Sequence, residues 1–316
     1  MFQLVLFFAQ FLLYIRCDFS PKKDGVNFYC KTPCKKQGNN TVPATGCNCK
    51  LAGTRTEIDL DQFMAFRQFI VNEHNHYRNL LASGNETRGF AKSVANMQVL
   101  NYDLELEYLA RCFGRGLFIG KHDGCRNLLD QQVSELRAGQ NLGSLRDPPK
   151  KGFDQLKEMI SGWYEQVQNL DEEIHKRFHF IKGKQIKEFT TMCWGPADSV
   201  GCARIYVKDP KKDKFAPGFT EKHTYLICNY ASRKLRAIIN VGGVRLYAQG
   251  PPCSKCPDYT EWKDCNDKFT SLCGIIQPIP KEQPFDFFGN RTSAETQVAG
   301  KVYTLALAFC IQILVK

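Results

Sequence analysis

The stretch Leu60-Asp-Gln-Phe-Met-Ala-Phe-Arg-Gln-Phe-Ile-Val-Asn-Glu-His-Asn-His-Tyr-Arg-Asn-Leu-Leu81 places Phe63, Phe66, Ile70, Tyr77 and Leu81 on a spacing of three or four. His74 falls on the same side, where its ring can turn inward. That period describes one face of a long amphipathic helix, closed by Ser83-Gly84-Asn85. A second helix is expected from about Leu104 to Ile119, with Leu104, Tyr108, Cys112 and Leu117 roughly on one side. A third is expected from about Phe153 to Val167, with Leu156, Ile160, Trp163, Tyr164 and Val167 inward. Strand signals come later in the chain. Thr190 to Trp194 is short and apolar, and Gly201 to Lys208 alternates Cys202, Arg204, Tyr206 and Lys208 against Ala203, Ile205 and Val207. Tyr225 to Tyr230 reads as another strand and Ile238 to Tyr247 as a fourth. Helices first and hairpin-linked strands after predict an α+β sandwich with an antiparallel sheet.

Outward from this core the chain changes character. Residues 1–17 open with an apolar run ending at Arg16 and Cys17, the length of a secretory leader rather than of a membrane span. Residues 18–58 form a polar, cysteine-bearing arm ahead of a main domain over 59–250. A small cysteine-rich appendage (251–274) and a Pro/Gly/polar linker (275–300) without a core of its own follow. In the tail, 301–316, a mostly apolar run from Val302 to Val315 would reach about 21 Å as a helix, short of a bilayer core of about 30 Å. Behind the small and polar residues Asn290 to Ala294, it reads as a glycolipid-anchor signal or as a loosely docked hydrophobic tail.

Fifteen cysteines in 316 residues behind a leader predict an oxidising compartment and a disulfide framework. Cys253 and Cys256 have the C-x2-C spacing of zinc ligands, but the leader favours disulfides. Cys17 in the leader and Cys310 in the tail set aside, thirteen remain; the odd thiol is assigned to Cys193, between Met192 and Trp194 in what reads as a buried strand. Three sequons, at Asn39, Asn85 and Asn290, suit a glycosylated secreted chain. Outside the cell nucleic acid is not the expected partner; the net charge of +11 suits a solvated surface or attraction to anionic glycans or membrane surfaces.

Several segments carry a resemblance. Glu73-His-Asn-His-Tyr-Arg78 with Leu81-Ala-Ser-Gly84, Lys121-His-Asp-Gly-Cys-Arg-Asn127 and Gly139-Gln-Asn-Leu142 resemble motifs of the CAP superfamily in its antigen 5 branch. So do Glu188-Phe-Thr-Thr-Met-Cys-Trp194 running on to Gly201-Cys202, and His223-Thr-Tyr-Leu-Ile-Cys-Asn-Tyr230. Their order and spacing agree from about residue 60 to 230. The resemblance implies a three-layer α-β-α sandwich. It implies the pairs Cys30–Cys47, Cys34–Cys125, Cys49–Cys112 and Cys202–Cys228, with two bridges among Cys253, Cys256, Cys265 and Cys273. Cys112 departs from the pattern, about two helical turns earlier than the family's cysteine.

Family members share a cleft of two histidines and two acids that holds a divalent metal in some of them. By resemblance the positions here are His122, Gln140, Glu165 and Glu188, so one imidazole and one acid have been replaced. Loss of a nitrogen ligand weakens a zinc site sharply, and neither a G-x-S-x-G nor an HExxH pattern is present. His175 and His179 lie four apart and could meet a metal from one helix face, though surface histidines are the plainer reading. The expected protein is not an enzyme and needs no cofactor. It binds a small hydrophobic ligand (sterol, fatty acid or eicosanoid, as some relatives do) or an extracellular partner protein. Alternatives are a surface module on a C-terminal lipid anchor and a metal-dependent hydrolase.

Overall fold

The computed structural model describes residues 26–35, 40–47, 49–116, 121–129, 138–213, 221–258 and 262–287. The expected leader, the hydrophobic tail, Cys17, Cys310, Asn39 and Asn290 lie outside these residues. The chain divides into two compact units, Met1–Pro284 and Phe285–Lys316. Of the second only residues 285–287 are described; the rings of Phe285 and Phe287 meet edge to face at 4.9 Å.

The sheet is built on two long strands, β6 (Ser199–Val207) and β7 (His223–Ala231), paired antiparallel with Cys202 opposite Cys228. Outside them lie β3 (Arg55–Ile58) against β6 and β5 (Gly139–Leu145) against β7, both antiparallel; a two-residue β4 (Asn101–Tyr102) runs parallel to β6. Nearly every residue of β6 and β7 is buried, which requires cover on both faces. Alternation supplies it. Ala203, Ile205 and Ile227 pack with Ala110 and Phe113 of helix α3 (Leu104–Gly116). Val200, Cys202, Leu226 and Tyr230 join the larger core with α2 (Phe63–Ala82) and α4 (Asp154–Glu165). The result is the three-layer α-β-α sandwich. Its close layer contact depends on Gly201, where a Cβ would stand 2.3 Å from the Glu107 nitrogen of α3.

Elsewhere the local readings needed correction. Thr190–Trp194 is not a strand: Lys187–Met192 is helix α6, followed by a turn. Ile186, Phe189 and Met192 are buried at a spacing of three, and the hydroxyls of Thr190 and Thr191 both donate to the Lys187 carbonyl. Tertiary packing thereby overrides the β preference of two threonines. Ile238–Tyr247 contains no strand either, because Asn240 (φ 54°) and Gly243 (φ 86°) turn the backbone into the left-handed region. Gly139–Leu145, whose first four residues stand out in the sequence only as a family motif, is strand β5. The arm holds helix α1 (Val26–Lys31), the ribbon β1 (Cys34–Lys35) and β2 (Thr41–Val42), and strand β3.

Six disulfides are formed: Cys30–Cys47, Cys34–Cys125, Cys49–Cys112, Cys202–Cys228, Cys253–Cys265 and Cys256–Cys273. Cys193 keeps a free, buried thiol, which burial pushes up to about 12. The appendage is docked rather than pendent: the Cys273 N–H donates to the Met97 carbonyl and Val99 N–H to that of Cys273. The start of the expected linker is docked too. Ile276 and Ile279 pack on the main core, and Arg67 donates to the carbonyls of Pro280 and Glu282.

Candidate functional site

The cleft positions come from four elements. His122 lies on the loop before Cys125, Gln140 on β5, Glu165 at the C-terminal end of α4 and Glu188 in the first turn of α6. The structure joins His122 to Gln140, with Nδ1 and Oε1 3.0 Å apart. A carboxamide oxygen can only accept, so Nδ1 carries the proton and Nε2 is the free nitrogen. Gln140 is held in turn: its Nε2 donates to Asn229 Oδ1 at 3.1 Å, and Asn229 donates to the Leu106 carbonyl at 3.2 Å. Burial holds His122 below the ordinary imidazole value, with Arg126 and Lys187 adding to the shift and Gln140 opposing it. It is therefore neutral at physiological pH.

The two carboxylates are engaged elsewhere. Glu188 Oε2 accepts from Gln166 Nε2 at 2.8 Å, and the Gln166 carboxamide oxygen accepts from the backbone N–H groups of Glu188 and Phe189. Glu165 is half-exposed and pairs with Arg88, which also grips the buried carboxylate of Glu86 at 2.8 Å. Arg88 in turn holds Glu86 down at about 2. Among the described residues His122, Glu165 and Glu188 do not converge as a ligand set; the only such cluster is Cys253, Cys256 and Cys273, whose sulfurs are spent in disulfides. The divalent metal implied by the fold family does not fit the donors present. His175 and His179 do not meet on a helix face either. His175 is buried in α5 (Glu172–Lys176) between the rings of Phe90 and Tyr247, while His179 lies beyond the helix near Glu173.

The residues that position the cleft were not singled out from sequence. Buried His74 sets its Nδ1 2.8 Å from the Ile70 carbonyl and its Nε2 2.8 Å from the Tyr230 hydroxyl. Asn141 donates to the Glu188 carbonyl at 2.8 Å and to Tyr230 at 3.4 Å, so α2, β7, β5 and α6 are tied in one network. Arg78, also fully buried, is surrounded by the carbonyls of Gln98, Met192, Trp194, Gly195 and Ala197. It sets the turn leading from α6 into β6. The signal for both residues lay in their spacing, since 74 and 78 share the apolar face of α2.

A small, solvent-open pocket lies at the other end of α2, walled by Leu60, Phe63 and Phe66 and by charged side chains. Those charges are matched internally, Arg111 with Glu57 at 2.7 Å and Arg204 with Asp59 at 3.3 Å. Between α2 and α4 the space is filled by rings: Phe69 and Phe153 lie 4.9 Å apart, Tyr77 and Tyr164 4.5 Å.

Residues 71–230 match the family model described as the cysteine-rich secretory protein family. Venom allergen 5 of Vespula flavopilosa is 30% identical over 207 residues, 65% of this chain and 93% of that protein. A venom allergen 3 homolog of Dinoponera quadriceps is 27% identical over 235 residues, 73% of this chain and 91% of the other. Among solved structures, Na-ASP-1 is similar at 20% identity with a TM-score of 0.49, covering 66% of this chain and 46% of that one, so the chain spans under half of its length. With its family motifs in register, its three layers and its cysteine framework, the chain belongs to the CAP (cysteine-rich secretory protein) family, in the antigen 5/venom-allergen branch.

Proposed function

We propose that this is an extracellular binding protein that recognises a partner protein without turning over a substrate. The observation that carries this reading is the state of the cleft: its one imidazole faces a carboxamide, and both carboxylates are bound to neighbouring side chains. A metal-activated water needs converging ligands and an open position. The ring-filled space between α2 and α4 argues for a partner larger than a sterol, fatty acid or eicosanoid, because such a ligand would have to displace stacked aromatics. Native mass spectrometry of the secreted protein tests this part; a copurifying lipid, held stoichiometrically, would return the reading to a small hydrophobic ligand. Asn85 and Thr87 are exposed just beyond α2, a place where a glycan can be carried without disturbing the cleft.

Zinc titration tests the non-catalytic part. The natural protein should give no binding heat near neutral pH. The double variant Gln140→Glu/Glu188→His, which restores the family's two acids and two histidines and removes the carboxylate held by Gln166, should give a zinc-binding heat that the natural protein lacks. Tight zinc binding by the unaltered chain, with hydrolysis that follows metal loading, would reject the reading. For the C-terminal anchor, we propose that phosphatidylinositol-specific phospholipase releases the protein from cells that express the full chain; retention beside a released control would remove the anchor.

A further inference from the structure

Two segments distant in sequence lie side by side. The Phe178 N–H donates to the Val244 carbonyl at 2.7 Å, Gly243 N–H to the Phe178 carbonyl at 2.8 Å and Leu246 N–H to the His175 carbonyl at 3.1 Å. Asn240 extends the seam by donating to the Lys187 carbonyl at 3.4 Å. Neither segment contains an acidic residue, from 174 to 187 or from 233 to 257. Of the flanking carboxylates, Asp171 pairs with Lys184, Glu172 with Lys176, the exposed Glu173 lies 3.7 Å from His179, and Glu188 is held by Gln166.

The same seam concentrates apolar side chains that the fold leaves in water. Of the six large hydrophobic residues exposed among the described residues, Phe180, Ile238 and Val244 lie on these segments within two residues of the hydrogen-bonded positions; Phe180 is 68% exposed. Arg177, Lys182, Lys187 and Arg245 are exposed around them, and the Lys187 ammonium lies 5.6 Å from the centre of the Phe180 ring. An isolated exposed phenylalanine needs no explanation, whereas several exposed apolar residues on a seam with an excess of cations do.

We infer that this seam is a docking surface for an anionic phospholipid bilayer. Lipid phosphates and serine carboxylates complement the Lys and Arg rim, and the aromatic and aliphatic side chains can enter the headgroup–acyl boundary, where burial returns hydrophobic free energy. Long cationic side chains keep their charge in the headgroup layer while their stems lie against apolar neighbours. A sulfated glycan would match the charge and leave the apolar residues without a role. The surface adjoins the cleft at Lys187, next to Glu188, but uses none of the four cleft side chains and does not depend on the binding reading above.

Flotation of the full chain with phosphatidylcholine vesicles, with and without phosphatidylserine, tests this. Binding is expected to the anionic vesicles only and to weaken with salt. Lys182→Glu/Lys187→Glu should lower the partition coefficient at least tenfold. Phe180→Ser/Val244→Ser should lower it several-fold while leaving retention on immobilised heparin unchanged. The hydrophobic tail is common to every variant, so differences among them report the seam; matching thermal melts confirm that these surface changes leave the fold intact. Equal binding to neutral and anionic vesicles, or no binding to either, would overturn the inference. An apolar double variant that binds vesicles as tightly as the natural chain, with the charge variant losing heparin instead, would also overturn it and assign the seam to a sulfated glycan.

Discussion

Arg78→Met should destabilise the protein by at least about 4 kcal/mol, enough to prevent secretion or to lower the melting temperature by roughly 10 °C. The guanidinium is fully buried and supplies donors to five backbone carbonyls, at 2.7 to 3.4 Å. No carboxylate is among these partners, so the arginine acts as a cationic plug for a turn whose carbonyls would otherwise point into the core. Each buried acceptor left unpaired costs about 1–3 kcal/mol, and methionine replaces the volume but none of the donors. Arg146→Met is the control. Its guanidinium is 78% exposed, and the loss of its ion pair with Glu221 should cost less than about 1 kcal/mol. An Arg78→Met protein that melts within 2 °C (a shift of about 1 kcal/mol or less) of the natural one would contradict this account of the turn.

Acid should weaken the fold through His74 before it reaches the carboxylates. The Ile70 carbonyl can only accept, so His74 Nδ1 carries the proton and Nε2 accepts from the Tyr230 hydroxyl. A second proton would break that bond and leave a charge in the core. Burial accordingly lowers the imidazole to about 4. The unfolded chain takes up that proton near pH 6.5, so the contribution is complete above about 6.5 and is lost as pH falls toward 4. The loss reaches about 3 kcal/mol by pH 4. Buried His175, also lowered to about 4, works in the same direction. Burial raises Glu105 and Asp198 and so opposes the trend, while Glu86, held down at about 2, matters only below the ordinary glutamate range. Comparison with His74→Gln cancels these other groups. Measured by denaturant at pH 7 and pH 4, the natural protein's stability relative to the variant should fall by about 3 kcal/mol. A constant difference across that range would show that the His74 ring stays as protonated in the fold as outside it.

Much of the architecture was legible without coordinates. The period of α2, the alternation along β6 and the apolar run Tyr225–Cys228 of β7 are strong local signals, since each depends on spacing along a single segment. β5 was hidden because glycine and polar residues dilute its pattern; it is a strand because β7 offers a seven-residue partner, from Gly139 opposite Tyr230 to Leu145 opposite Thr224. The first turn of α6 was hidden for the opposite reason. Its threonines favour strands in isolation, yet their hydroxyls satisfy a helical carbonyl and the segment packs three apolar residues into the core.

For the site, the sequence alone determined residue types: an imidazole, two carboxylates and a carboxamide at the four positions where the family resemblance implies a cleft. Only the tertiary structure decided that Gln166 and Arg88 occupy the carboxylates, that Arg78 gathers carbonyls more than a hundred residues away, and that Phe178 pairs with Val244. Residue identity sets what a group can donate, accept or bury. Which neighbour uses that capacity depends on contacts between distant segments, and those are made only when the layers close.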